Sequence, residues 1–330
     1  MSTQPDMSEP LWYRVKLEKK TMKKLQGRTN WQGLVWFGTY AGALGFFATF
    51  AVLDVLPVWA RVVSFLAYST VYCFSEAILH ETHHRTAFRS SWLNETVHYI
   101  AGLLAFKEPI RDRWLHAGHH TYTNYPNIDP EIVLEPPPHF RFLAMDLLRL
   151  RFVPSWLWDS VRNMFGPDVL AKRFVPVSEH ATIRRSATAC VAVYVAVIAA
   201  AVIFQTWWPI LFVFAARFVG SGLHAWITLP QHVGLATEVP DWRQNTRTIL
   251  TNPINRFLAW NMTYHVEHHM NPTVPFHALP ALYGKIEHDC PRPTHPHGQR
   301  GGKCFRLYGG KKKTRAISSC DPFPSPRRKP

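Results

Sequence analysis

Four long apolar runs restrict what this 330-residue chain can fold into. From Trp31 to Leu53 there is no charged side chain. A run of that length spans a hydrocarbon core of about 30 Å. Trp31 and Trp36 stand at its start, where an interfacial aromatic belt would lie. Asp54 and Pro57 make a turn, and a second run covers about residues 58–79. It is interrupted by Arg61, which can snorkel to the interface, and by Glu76 near its far end. A third run, headed by Arg184 and Arg185, covers about 187–206. After the short turn Trp207-Trp208-Pro209, a fourth covers about 210–229 and contains Arg217 and His224, both unusual at membrane depth. The mean hydropathy of −0.11 hides these runs, because histidine-rich segments and a basic tail dilute them.

The fold class expected is an all-α membrane protein, with four transmembrane helices in two hairpins. Residues 1–30 read as a basic segment beside the bilayer, 31–284 as the membrane domain, and 285–330 as a basic, disordered tail. Between the second and third runs the chain is polar and arginine-rich. Within it, residues 97–106 are apolar but too short to span, residues 121–131 read as a polar loop, and Pro136–Pro138 stop any helix. Residues 140–165 suit a pair of amphipathic helices on the membrane surface.

Charge sets the orientation. The N-terminal, middle and C-terminal segments are rich in Lys and Arg, whereas the two short turns carry almost none apart from Arg61. The positive-inside rule then puts both termini and the middle region in the cytoplasm. The formal net charge of +15 is thereby assigned to an anionic leaflet, and no nucleic-acid partner is expected. Five cysteines, with no Cys-x-x-Cys among them, read as reduced thiols. From the polar, charged start no cleavable signal peptide is expected.

Three histidine clusters share one pattern, an adjacent pair preceded three residues earlier by another histidine. They are His80-Glu81-Thr82-His83-His84, His116-Ala117-Gly118-His119-His120 and His265-Val266-Glu267-His268-His269. Histidines at i and i+3 or i+4 share a helix face, so two imidazoles reach one ion. In the four-span layout all three clusters emerge on one side of the membrane, which points to a single centre.

Eight residues stand at ligand spacing: His80, His84, His116, His119, His120, His265, His268 and His269. Eight imidazoles exceed the coordination of one ion, so two ions are expected, with iron, zinc and copper all compatible by ligand type. His232, just past the fourth run, is placed to complete the set, while His224 ranks below it. His83 is phased roughly 100° from His84 on a helix and is expected to be a hydrogen-bonded neighbour. Glu76, Glu81 and Glu267 are the carboxylates expected to support the ligands.

His80-x-x-x-His84, His116-x-x-His119-His120 and His265-x-x-His268-His269 resemble the three histidine boxes of the integral-membrane fatty acid desaturase superfamily. The order, the spacing and the four-span layout all match over about residues 31–284, and Gln231-His232-x-Gly234 is similar to the extra ligand histidine between the last span and the third box. The resemblance implies a helical cytoplasmic cap on the spans that holds a di-metal site, two non-heme iron ions in it, dioxygen as co-substrate and a fatty-acyl or lipid-like chain to be desaturated. Related hydroxylases and ketolases carry the same boxes. The first box looks like the acyl-lipid type, and His265 in place of Gln departs from the front-end desaturases. No fused cytochrome b5 heme motif is present, so a separate electron-transfer protein, a ferredoxin or cytochrome, is implied. A non-catalytic metal transporter is the reading from another class. It needs metal-binding groups along the spans, which offer chiefly Glu76 and His224.

Overall fold

The computed structural model describes residues 9–131, 145 and 147–294. The described residues are helical and contain no strand; one isolated bridge joins Ile249 to Thr294. The segment Pro136–Pro138, most of residues 140–146 and the tail beyond residue 294 lie outside them.

Among the described residues, four helical stretches are long and apolar enough to cross a bilayer: Trp31–Val52, Val58–His83, Val177–Ile203 and Ile210–Gln231. A short basic helix α1 (Lys19–Leu25) precedes α2 (Trp31–Val52). The second stretch comprises α3 (Val58–Cys73) and α4 (Ser75–His83), which meet at Phe74. Tyr40 of α2 donates its hydroxyl to the Tyr72 carbonyl of α3 across a buried seam. Then come α5 (Ser91–Ala105), α6 (Pro109–Tyr122), α7 (Phe152–Asn163) and α8 (His180–Ile203).

Two elements differ from the sequence reading. The 97–106 stretch is the second half of an ordinary helix, α5. The third span also begins earlier than residue 187, because the polar first turns of α8 continue the apolar helix without a break.

The fourth stretch is irregular. It starts as a π-helix (Ile210–Ala215), tightens into α9 (Ala216–Val219), breaks at Gly220 and continues as α10 (Ser221–Thr228). The break has a steric cause. A Cβ at residue 220 would overlap the Ser69 carbonyl group of α3, so only glycine permits this approach. The approach lets Arg217 reach Glu76. Arg217 is fully buried and its guanidinium pairs with the Glu76 carboxylate, which Arg149 also contacts at 3.3 Å. His224 completes the cluster at 3.3 Å from Arg149.

Glu76 therefore does not support a ligand histidine, contrary to the expectation from its place one turn before His80. It neutralises two arginines, as charges at membrane depth generally require. Removing one partner of a buried pair strands a charge. Glu76→Ala should destabilise the protein by about 3–5 kcal/mol, read as a lower unfolding midpoint in detergent. An unchanged midpoint would show that the pair carries no such weight.

The C-terminal part holds the helix α11 (His265–Met270) and α12 (Leu279–Ile286). Its core joins Trp260, Met270, Val274, Phe276, Leu279, Leu282 and Ile286 to residues of α2 to α5. The packing continues beyond residue 284, with Ile286 and Cys290 buried and Thr294 hydrogen-bonded to Thr248 and Leu250.

Candidate metal centre

Each histidine cluster sits where a helix delivers it to the same place. His80 lies on α4 and His84 caps that helix. His116, His119 and His120 lie on α6. The start of α6 is fixed by Pro109 and by the Glu108 carboxylate, which accepts from the Ile110 and Arg111 amides, the usual chemistry of a helix N-terminus. His265, His268 and His269 fill α11. His232 follows the 3₁₀ turn Leu229–Gln231 that ends the fourth stretch.

All nine sequence-nominated histidines meet in two groups. His80, His84, His116, His120 and His268 form one, and His119, His232, His265 and His269 the other; within each, the ligand atoms lie within 4.8 Å of one another. In the first group the Nε2 atoms of His80 and His268 are 2.9 Å apart, those of His84 and His116 3.0 Å, and those of His116 and His120 3.1 Å. In the second, His265 Nε2 stands 2.9 Å from His232 Nε2 and 3.2 Å from His269 Nε2.

These spacings test whether a metal fits. Two imidazole nitrogens bound to one ion at ~2.1 Å and at right angles stand ~3 Å apart. Two neutral imidazoles facing each other through bare lone pairs would repel, so a cation between them is the natural partner. The donor set, nine imidazoles with no thiolate, suits iron, zinc or copper.

Electrostatics support neutral ligands. Burial, followed by the neighbouring imidazoles, holds His84, His116, His120, His265 and His269 well below the ordinary histidine range, since both disfavour the charged ring. His232 and His268 are lowered to about 3 for the same reasons. Their lone pairs are free at neutral pH. His119 is the exception: burial opposes its charge, but Asp129 and then Glu131 outweigh burial and raise it to about 9, so its Nε2 carries a proton that a bound metal ion would displace.

The supporting carboxylates are these two, in the segment read from sequence as a polar loop. His119 Nδ1 donates to Asp129 at 2.9 and 3.0 Å, and His116 Nδ1 donates to Glu131 at 3.0 Å. A carboxylate only accepts, so each fixes the tautomer that turns Nε2 towards the centre. Asp129 also organises the loop, accepting from the Asn124 and Glu131 amides at 2.9 Å each. Asn124 and Asn127 are both left-handed, with φ of 62° and 64°. Asn tolerates that conformation, and it lets the chain fold back on α6. His232 Nδ1 is held by the Asn245 carbonyl at 3.0 Å.

Glu81 and Glu267 do not support a ligand either. Glu81 accepts from Thr86 and the Phe276 amide, and Glu267 accepts from Thr248. Each is the direct neighbour of a ligand histidine on a short helix, turned about 100° from it, and so faces the protein interior rather than the centre. His83 points aside from both groups, its Nε2 3.2 Å from Asp112. His98 is bound to Thr82 and the Pro109 carbonyl, away from the centre.

Asp129→Asn should cut metal affinity and turnover by about 10–100-fold, the usual range for a supporting carboxylate. Metal titration of the stripped variant checks this; wild-type affinity would remove Asp129 from the centre.

Compared with known families, residues 57–301 match the fatty acid desaturase family model. No curated protein matches the chain.

Proposed function

The chain belongs to the fatty acid desaturase family, and from that premise we propose that it is a membrane-bound, dioxygen-dependent di-iron desaturase that introduces a double bond into a fatty-acyl or other lipid-like chain. The observation carrying this reading is the pair of imidazole groups, five nitrogens and four, side by side, where the ends of the second and fourth membrane-length stretches (His80, His84 and His232) meet α6 and α11. His80, His84, His116, His120 and His268 would hold one iron, and His119, His232, His265 and His269 the other.

Bound and reduced, the two irons supply the activation of dioxygen needed to break unactivated C–H bonds. The protein's own part is positional. Asp129 and Glu131 hold the Nδ1 protons of His119 and His116, so the rings stay in the tautomer that leaves Nε2 free. His116, His119, His265, His268 and His269 are at most 3% exposed, so these five rings are shielded from bulk water, while His80, His84, His120 and His232 are half-buried. The chain to be oxidised reaches such a centre from the bilayer, and the protein fixes which carbon is presented.

The test is lipid and acyl profiling, by mass spectrometry, of a host with and without the protein, together with metal analysis of the purified chain. Loss of two hydrogens with two irons per chain is expected. Gain of oxygen would make it a hydroxylase or ketolase on the same centre, and exchangeable zinc with no lipid product would make it a transporter.

The orientation belongs to the same proposal. A reporter at the C-terminus should be cytoplasmic, and one inserted at Gln205–Trp208 should lie on the opposite side. The reverse result would put the centre on the other face of the membrane.

A further inference from the structure

The N-terminal segment that precedes the family match lies against the candidate metal centre. Trp12 stacks on Trp242 with ring centroids 4.5 Å apart and an interplanar angle of 4°. Trp242 is buried, and its ring lies 6.4 Å from that of His269. The strap is anchored on both sides of the stack. Trp12 Nε1 donates to the Thr121 carbonyl on α6, and the Tyr13 amide donates to the Pro240 carbonyl beside Trp242. A surface pit of about 420 Å³ between strap and centre is lined by Leu11, Trp12, Trp242, His120 and His269, so two of the candidate ligands approach the surface here.

Trp12 is half-buried, with Leu11 beside it 94% exposed and Arg14 exposed over the Trp242 ring at 5.8 Å. Residues 9–28 carry seven basic side chains against two acidic ones, Glu9 and Glu18. A small exposed apolar spot with Arg14 beside it, Glu9 across the pit and a basic segment following in the chain is the kind of surface that weak, fast electron-transfer encounters use.

We infer that residues 9–17 form the electron-entry port of the enzyme: they dock a one-electron carrier protein through its acidic face, and its electron passes by way of Trp12 and Trp242 to the centre behind His269. Electron transfer falls off steeply with distance, and the stacked indoles, with the Trp242 ring 6.4 Å from that of His269, put conjugated rings along the path. The inference rests on the di-iron reading. In the balance, each carrier gives up one electron and leaves oxidised. Two carriers supply two electrons, two protons come from water, and the two C–H bonds of the substrate supply the other two of each. Together these reduce one dioxygen to two waters.

The experiment uses the full chain loaded with iron. A plant-type 2Fe–2S ferredoxin and a soluble b-type cytochrome are the carriers, and dithionite is the small reductant that needs no docking. Carrier affinity is read by calorimetry, and reduction of the centre by anaerobic stopped-flow. Trp12→Ala should slow carrier-driven reduction by about tenfold or more, as losses of interfacial Trp do. Dithionite-driven reduction and iron content should stay at wild-type values. Trp12→Phe, which keeps a stacked ring, should recover most of the rate. Arg14→Glu should weaken carrier binding by about tenfold, and more at low salt.

The port is refuted if Trp12→Ala takes electrons from the carrier at the wild-type rate, or if dithionite reduction falls equally. Failure of both carriers to bind the wild type also refutes it. So does an Arg14→Glu variant altered only in partitioning to phosphatidylserine vesicles, which would assign the basic strap to lipid. A wild type with no iron and no lipid product would instead overturn the desaturase reading, with carrier affinity still measurable.

Discussion

Replacing His268 with alanine is expected to leave a membrane-inserted but inactive protein that has lost the metal of one group. His268 is fully buried, its Nε2 lies 2.9 Å from that of His80, and its ring stands 4.7 Å from that of His84 and 4.9 Å from that of His120. It alone carries α11 into the group otherwise built by α4 and α6. Its loss removes one of five imidazoles and uncouples the third cluster from the other two. Removing a supporting carboxylate costs about 10–100-fold, and a direct ligand should cost at least the upper end of that range. Insertion should survive, because α11 lies outside the four membrane-length stretches. Metal binding and folding are linked, so the unfolding midpoint of the iron-loaded variant should also fall. Iron per chain, product formed and membrane-fraction yield are the three measurements. Full activity in this variant would refute the shared centre.

How much of this was legible in the sequence depends on how local the signal is. A charge-free run is its own evidence, so Trp31–Val52 stands where the sequence puts it, within a residue. The boxes are local as well, since i and i+4 on one helix settle which imidazoles can meet. Partners that arrive from elsewhere were not legible. Glu76 shares a helix with His80, but Arg217 comes from the fourth stretch and takes its carboxylate. A signal was present: opposite charges at similar membrane depth generally pair with one another. Asp129 and Glu131 follow α6 by a few residues, and only the left-handed turns at Asn124 and Asn127 bring them back onto His119 and His116. The basic character of residues 9–28 was plain, whereas the stacking of Trp12 on Trp242 joins residues far apart in the chain, and no local pattern announces it.

The pair His232 and His83 gives the other large effect, because the two residues should part company in one experiment. His232 Nε2 lies 2.9 Å from His265 Nε2, and its ring is 4.9 Å from that of His119 and 5.0 Å from that of His269. Its Nδ1 faces the Asn245 carbonyl, so that nitrogen must carry the proton and Nε2 is left to bind. Among the described residues the second group has four members, and losing His232 leaves three. His83, although it sits in a box, has turned to Asp112, which also accepts from Lys107 at 3.1 Å. Its ring stacks on His116 at 4.7 Å, so it packs behind a ligand without joining the group. His232→Ala should therefore lose one iron and reduce turnover by about a hundredfold or more, as loss of a ligand exceeds loss of its support. His83→Ala should keep both irons and lose no more than about tenfold, the lower end for a neighbour that only steadies a ligand. Iron content measured for the two variants side by side decides it. Equal loss in both, or loss only in the His83 variant, would mean that the first box binds through His83 and that helical phase is the wrong guide to its ligands.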